Sequence, residues 1–284
     1  DAGNLALELQ HAGCDDFEVI GCIAIDGVGS GGGSRIGGIA EVGALVEEHE
    51  LDLLLLSSSA PRMDVFRQLA TACPGSSVRA LELTAFYERT LGHVPVGAIN
   101  DAWFQCVMHP EWTGTTRVAR VRDVIIASIV AVLAAPLLAI LALIIRRDGG
   151  PALYRQVRIG EGGRPFEIYK LRSMSVTEDA PAAWSSAADP RVTPIGRFIR
   201  KTHLDEIPQV FNVLRGDMSI VGPRPEQPEM VEQLEQAIPF YSRRHFTRPG
   251  ITGWAQVHCG YSGSELVCAW KLSHDLYYLR HRSE

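Results

Sequence analysis

In Arg200–Glu226, RKTHLDEIPQVFNVLRGDMSIVGPRPE, two adjacent carboxylates, Asp205 and Glu206, stand between clustered cations and a Gly-Pro-Arg-Pro turn. Proline is costly inside a helix but tolerated in its first turn, so Pro208 predicts that the helix carrying Val210, Phe211 and Leu214 begins near Asp205. Both carboxylates then lie at a helix N-terminus. The dipole there favours an ionised carboxylate and the unpaired N–H groups favour a bound phosphate, so a nucleophile and an anion site can share one place. The plainer alternative is that Asp205 only caps the helix, Asp being among the commonest N-cap residues. Just upstream, Thr193-Pro194 starts a helix in the cap-then-proline order, with Ile195, Phe198 and Ile199 toward the core and Arg200 and Lys201 near its end. Downstream, the prolines of Gly222-Pro223-Arg224-Pro225 fix φ and hold the Arg224 guanidinium in one direction, where a purely structural turn does not require arginine. Arg200 and Arg224 both suit bidentate phosphate contacts.

Before this stretch, YRQVRIGEGGRPFEIYKLRSM has two alternating runs around Gly160–Gly163 and reads as a hairpin, with Lys170 and Arg172 near the end of its second strand. By spacing alone Lys170 is equally a solvated edge charge. Residues 176–191 read as a surface loop. Further upstream, Val124 to Ile145 is almost wholly apolar and about long enough to cross a bilayer. Arginines flank it at both ends and Pro136 lies near its middle. The positive-inside rule is best satisfied if both flanks stay on the cytoplasmic side, which a proline-broken hairpin entering one leaflet allows; a full span and a buried core helix are the alternatives.

Residues 2–83 alternate between helical and apolar β-branched runs. Helices are expected at Ala2–His11, Val42–Glu50 and Pro61–Ala72, with strands at Phe17–Ile25, Leu51–Ser57 and Val78–Leu83. This is the pattern of a parallel sheet, a Rossmann-like module without its first strand. Asp26–Gly38 is a glycine-rich turn whose Gly27, Gly29 and Gly32 match a dinucleotide fingerprint in spacing, but no convincing helix follows, and a surface loop is the better reading. Thr84 to Arg120 reads as a connector whose Trp103 and Trp112 belong either to a core or to a membrane interface.

At 284 residues two domains are expected. The net charge of −6 argues against a general nucleic-acid binder, and the arginines beside the apolar segment point to a membrane surface. Six scattered cysteines without a C-x-x-C pair read as reduced thiols and argue against structural zinc. No signal peptide is visible, and both ends read as internal to a longer protein.

FEIYKLRSM, GRFIRKTHLDEIPQVFNVLRGDMSIVGPRPE, RPGITGWAQV and HDLYYLR, in this order from about Arg120 onward, resemble successive motifs of the bacterial sugar transferases, the monotopic phosphoglycosyl transferases. The resemblance implies transfer of a sugar 1-phosphate from a UDP-sugar to polyprenyl (undecaprenyl) phosphate with release of UMP, the first membrane step of bacterial exopolysaccharide, capsule or O-antigen assembly. It implies Asp205 as the nucleophile of a covalent phosphosugar intermediate, Glu206 as a ligand of Mg²⁺, and Lys170 as an active-site cation beside Arg200 and Arg224. Gln256 and Asp275 match further family positions, although Asp275 also suits a helix surface. A re-entrant membrane helix broken near Pro136 is implied as well, placing the catalytic domain on the cytoplasmic face of the bacterial inner membrane. Val257-His258-Cys259 departs from the Val-Asn-Gly common in relatives, and Arg243, Arg244, His245 and Arg248 read plainly as a solvated or lipid-facing cluster.

The expected architecture is therefore α/β: a partial Rossmann-like module at 1–100, a connector at 101–120, a re-entrant helix at 121–148, and a mainly helical α+β catalytic domain at 149–284. Membrane lipids and a second copy of the chain complete the expected partners. A direct, ternary-complex transferase using Asp205 as base or metal ligand and a non-catalytic, membrane-anchored nucleotide sensor or assembly scaffold are the competing readings.

Overall fold

The computed structural model describes residues 2–24, 35–57, 67, 70–71, 78–107, 117–147, 149–175, 191–259 and 265–281. The chain divides into two compact units, Asp1–Val107 and Met108–Glu284.

In the first unit, α1 (Ala2–His11) forms where its apolar spacing predicts. Its Leu5 and Leu9 pack against Phe86 and Tyr87 of α3 (Leu83–Thr90), α2 being Val42–Glu48. β1 (Cys22–Ala24) pairs in parallel with β2 (Arg35–Gly38), and β3 (Leu53–Leu56) with β4 (Arg79–Glu82). Parallel pairing agrees with the α/β pattern. The strands are shorter than their apolar runs, and among the described residues they form two separate pairs instead of one sheet. The end of the glycine-rich stretch is strand β2, not turn, while residues 25–34 and most of the helix expected at Pro61–Ala72 lie outside the described residues. Thr84 to Arg120, read as a connector, holds nearly all of α3 and then α4 (Asp101–Val107), whose Trp103 is buried edge-to-face on Phe104 at 5.0 Å; core packing therefore accounts for it. Trp112 lies outside the described residues.

The second unit is built on α5 (Arg117–Arg146), which is long and apolar enough to cross a bilayer. Its 30 residues correspond to about 45 Å. The helical backbone continues through Pro136, where the sequence leads one to expect a break. Proline at 136 removes only the bond to the carbonyl of residue 132, and packing on both sides supports the rest. Ala127, with Val130 and Ala131 beside it, packs on Ile168, Val210, Val213 and Met218. Leu141 and Ile145, with Leu138, pack on Leu171 and Ile199. Both ends are also bonded to this same unit. Arg120 donates to the carbonyls of Val213 and Leu214, Ser219 Oγ donates to Asp123 at 2.6 Å, and Arg172 donates to the Ile145 carbonyl at 2.8 Å. The opposite side, including Val118, Ile125, Ile129, Val132, Leu133, Ile140 and Leu143, is exposed and apolar at helical spacing.

After α5 come the predicted hairpin, β5 (Leu153–Ile159) antiparallel to β6 (Pro165–Leu171), and α6 (Pro194–Lys201), capped by Thr193. Phe198 does not face the core as expected; it is 54 % exposed. Gly196 lies so close to the Ser173 backbone that a Cβ would sit 1.9 Å from its carbonyl oxygen, which turns the Gly196–Ile199 face inward and Phe198 outward. A six-residue 3-10 turn, Leu204–Gln209, leads into α7 (Val210–Arg215). β7 (Ser219–Val221) and β8 (Gly250–Thr252) pair in parallel across α8 (Pro228–Ala237) and a 3-10 turn, Tyr241–Phe246. α9 (Trp254–His258) and α10 (Glu265–His281) complete the unit.

Candidate active site

Asp205 is not the N-cap that the plainer sequence reading makes it. His203 holds the cap position in the left-handed region, φ 56°, and the turn that follows is 3-10 and not α-helical, with Glu206 N donating to the His203 carbonyl. Asp205 and Glu206 thus lie in the first turn of this 3-10 segment, and Pro208 falls in its second, ahead of α7. Buried Asn212 of α7 ties this helix to β6: Tyr169 N donates to its Oδ1 at 3.1 Å and its Nδ2 donates to the Glu167 carbonyl at 2.6 Å. That bridge sets the edge of β6 from which Lys170 reaches the turn. A polar residue amid Val-Phe-Asn-Val-Leu was its signal in the sequence.

Three separate elements meet at Glu206. Lys170 Nζ from β6 donates to Oε1 at 2.8 Å. Arg224, from the turn after β7, makes a fork, Nη2 to Oε1 at 2.6 Å and Nη1 to Oε2 at 3.3 Å. Although burial opposes the charge on Glu206, these two cations hold its pKa down to about 2. Burial pushes Lys170 the other way, below the usual lysine range, against the pull of Glu206. Asp205 is 8 % exposed, and its pKa is raised, chiefly by burial and then by Glu206, while Lys170 and Arg200 partly offset this. Neighbouring carboxylates are therefore driven apart, one firmly ionised and one closer to neutrality.

Arg200, whose charge acts on Asp205, donates from Nε to Ser173 Oγ at 3.0 Å. Arg158, not singled out in the sequence, joins the cluster from β5: it pairs with Glu226 at 3.5 Å and donates to the Pro225 carbonyl. The Gly-Pro-Arg-Pro turn is joined to β8 through backbone bonds. Gly222 N donates to the Thr252 carbonyl at 2.8 Å and Gly250 N to that of Pro223 at 2.9 Å. A Cβ on Gly250 would sit 2.1 Å from Gly222 N, so no side chain fits this approach.

Gln256 donates to the Ile251 carbonyl at 3.4 Å, on β8 behind the turn. Asp275 is not on a helix surface but 1 % exposed, paired with Arg244 at 2.7 Å. Arg244 and His245 are correspondingly buried, which corrects their reading as a solvated or lipid-facing cluster: the chain turns inward at Tyr241–Phe246 because Asp275 supplies the countercharge there. Arg248 reaches Glu161 at 3.3 Å.

Among the described residues no three His, Cys, Asp or Glu side chains gather as a metal cage. Mg²⁺ is commonly held by one or two carboxylates together with substrate phosphates. A carboxylate offers about four lone-pair positions, and three of those on Glu206 are taken by Lys170 and Arg224. By that count one position on Oε2 remains, so Glu206 can supply a single ligand to a cation.

A family model described as bacterial sugar transferase matches residues 114–284. The UDP-N-acetylgalactosamine-undecaprenyl-phosphate N-acetylgalactosaminephosphotransferase of Aeromonas hydrophila is 45 % identical over 168 residues, 58 % of this chain and 40 % of that protein. The UDP-glucose:undecaprenyl-phosphate glucose-1-phosphate transferase of Caulobacter vibrioides is 49 % identical over 150 residues, 52 % of this chain and 56 % of that protein. Its Escherichia coli namesake is 45 % identical over 141 residues, 49 % of this chain and 30 % of that protein. The chain thus spans 30 to 56 % of the length of these relatives. With more than half of its residues matched, and the whole Lys170–Glu206–Arg224 cluster inside the match, this chain belongs to the bacterial sugar transferase family.

Proposed function

We propose that the second unit moves a sugar 1-phosphate from a UDP-sugar to polyprenyl phosphate at the cytoplasmic membrane, opening the assembly of a bacterial surface polysaccharide. The observation that carries this reading is the cluster at Glu206, where Lys170 and Arg224 converge on the carboxylate next to Asp205 and Arg200 adds a further positive charge acting on Asp205. In it, Asp205 attacks the phosphorus that bears the sugar. The bond to the bridging oxygen breaks, UMP leaves with that oxygen, and an aspartyl phosphosugar remains. An oxygen of the lipid phosphate then attacks the same phosphorus and frees the Asp205 carboxylate. A carboxylate is a weak nucleophile, so most of the rate comes from positioning and from neutralising charge on the phosphates. Lys170 acts as a point charge and Arg224 as a planar fork, both released toward the diphosphate from their contact with Glu206. Glu206 would hold Mg²⁺, which when bound supplies further neutralisation of the diphosphate. The parallel strands of the first unit support its reading as a Rossmann-like, nucleotide-binding-like module.

UMP release from a panel of UDP-sugars tests the proposal. The expected result is about one equivalent of UMP without polyprenyl phosphate, with the sugar phosphate trapped on Asp205, and continuous release with it. No UMP from any donor overturns the reading; release only when both substrates are present, without a trapped adduct, replaces the covalent route by direct transfer.

The seat of α5 supports a monotopic placement. Arg120 and Asp123 near one end and Ile145 near the other are bonded to the same unit, so a full span would put part of that unit across the bilayer. Lateral insertion into one leaflet, with any bend at Pro136, instead leaves the apolar side in lipid and both arginine flanks among headgroups. Single cysteines replacing Arg122 and Arg146 are expected to react with an impermeant thiol reagent from the cytoplasmic side only. Labelling from opposite sides refutes the monotopic placement.

A further inference from the structure

We propose that α10 is a positioning element for Arg224, acting through Tyr278 and the Asp275–Arg244 pair; this rests on the reading of Arg224 as a phosphate-binding residue. Asp275 and Tyr278 are three residues apart and share a helix face. The Tyr278 hydroxyl donates to the Val221 carbonyl at 2.8 Å. Asp275 accepts from Arg244 Nε at 2.9 Å and pairs with its Nη2 at 2.7 Å. The same guanidinium donates from Nη2 to the Arg224 carbonyl at 3.0 Å and from Nη1 to the Tyr241 hydroxyl.

The two gripped carbonyls, those of Val221 and Arg224, bracket Gly222-Pro223. One helix face therefore holds both ends of the turn that presents Arg224, while β8 holds its middle through Gly222 N and the Pro223 carbonyl. The prolines at 223 and 225 already fix their own φ. The rotations that remain, those of Val221, Gly222 and Arg224 and the ψ bonds of the prolines, are restrained by the bonds to β8 and by the two struts from α10. The Arg244 and Asp275 side chains are 5 % and 2 % exposed, so water does not compete for these bonds. On the far side, the Arg224 fork reaches Glu206. The resulting chain of contacts runs from α10 through the turn to the carboxylate beside Asp205, where a displacement of about 1 Å can cost about a hundredfold in rate.

A double-mutant cycle between Tyr278→Phe and Arg224→Lys, read as kcat and KM for UMP release by the full chain, tests the coupling. Tyr278→Phe removes one hydroxyl and is expected to lower kcat about fivefold, with the thermal midpoint within about 4 °C of wild type. In the Arg224→Lys background, where the fork is already lost, the same change is expected to cost less than about twofold. An equal loss in both backgrounds, or no loss in either, overturns the proposal, because a merely structural role would not depend on residue 224. If Arg224→Lys alone leaves kcat and KM unchanged, it is the phosphate-binding reading of Arg224 that falls. Should Tyr278→Phe prove unstable, Asp275→Glu keeps the charge, moves the carboxylate by one methylene, and decides the question by the same criteria.

Discussion

Asp205→Asn is expected to reduce steady-state UMP release by about 10⁴-fold or more, with no phosphosugar adduct formed. The amide is nearly isosteric, so the turn from His203 to Gln209 has no reason to change. Stability is expected to hold or rise slightly, and the sign follows from linkage. The folded-state pKa of Asp205 is raised by burial, so ionising it costs folding free energy as pH climbs from its unfolded value through the raised one. At neutral pH the neutral Asn escapes that cost. Thermal unfolding checks the stability, and mass spectrometry excludes deamidation back to Asp. Retained turnover without deamidation would remove Asp205 as the nucleophile. In the wild type, kcat/KM should rise with pH along an acid limb above the ordinary Asp value of about 4. Glu206 does not compete for that assignment, its pKa being about 2. Lys170 lowers the Asp205 pKa, so Lys170→Met should move the limb to higher pH.

Glu206→Gln should be the second severe change, about a hundredfold or more in kcat, and it should also cost stability. Removing the charge leaves Lys170 and Arg224 facing an amide in a site where their side chains are 17 % and 30 % exposed. Breaking a buried pair costs about 3–5 kcal/mol; partial exposure reduces this to about 2 kcal/mol. The depressed pKa gives the pH window. Glu206 stabilises the fold fully above its unfolded value of 4.5, and that contribution is lost as pH falls toward about 2. The variant should lack this part of the acid dependence. A Mg²⁺ titration separates the two roles: a higher half-saturating concentration marks lost ligation, whereas a lower kcat at unchanged half-saturation marks lost organisation of Lys170 and Arg224. Wild-type rate and wild-type titration together would remove Glu206 from the site.

Much of this was legible in the chain because it is local. Thr193-Pro194 announces the start of α6 through cap chemistry and a fixed φ, the β5–β6 hairpin follows from alternation around Gly160–Gly163, and the apolar run of α5 reports its own length. Adjacency in sequence was enough to set Asp205 beside Glu206. The flanking cations were visible too, since prolines on either side of Arg224 have no plain structural use for a guanidinium.

What the chain could not disclose is which charge meets which. Lys170, Glu206 and Arg224 come from a strand, a 3-10 turn and a proline-locked turn, and only the tertiary structure decides that both cations share one carboxylate. The same holds for Arg244 and Asp275, where a run of basic residues reads as surface until a helix 31 positions later supplies the buried countercharge. Phe198 turns outward because Gly196 meets the Ser173 backbone, a close approach invisible in the pattern of the helix itself. By itself the sequence determined the β5–β6 hairpin, the apolar run of α5, the Thr193 cap of α6 and the residue types of the site, since these depend on neighbours along the chain. Burial, pairing and the separation of two adjacent carboxylate pKa values waited for the fold, because desolvation and Coulomb interaction act through space between residues the chain keeps far apart.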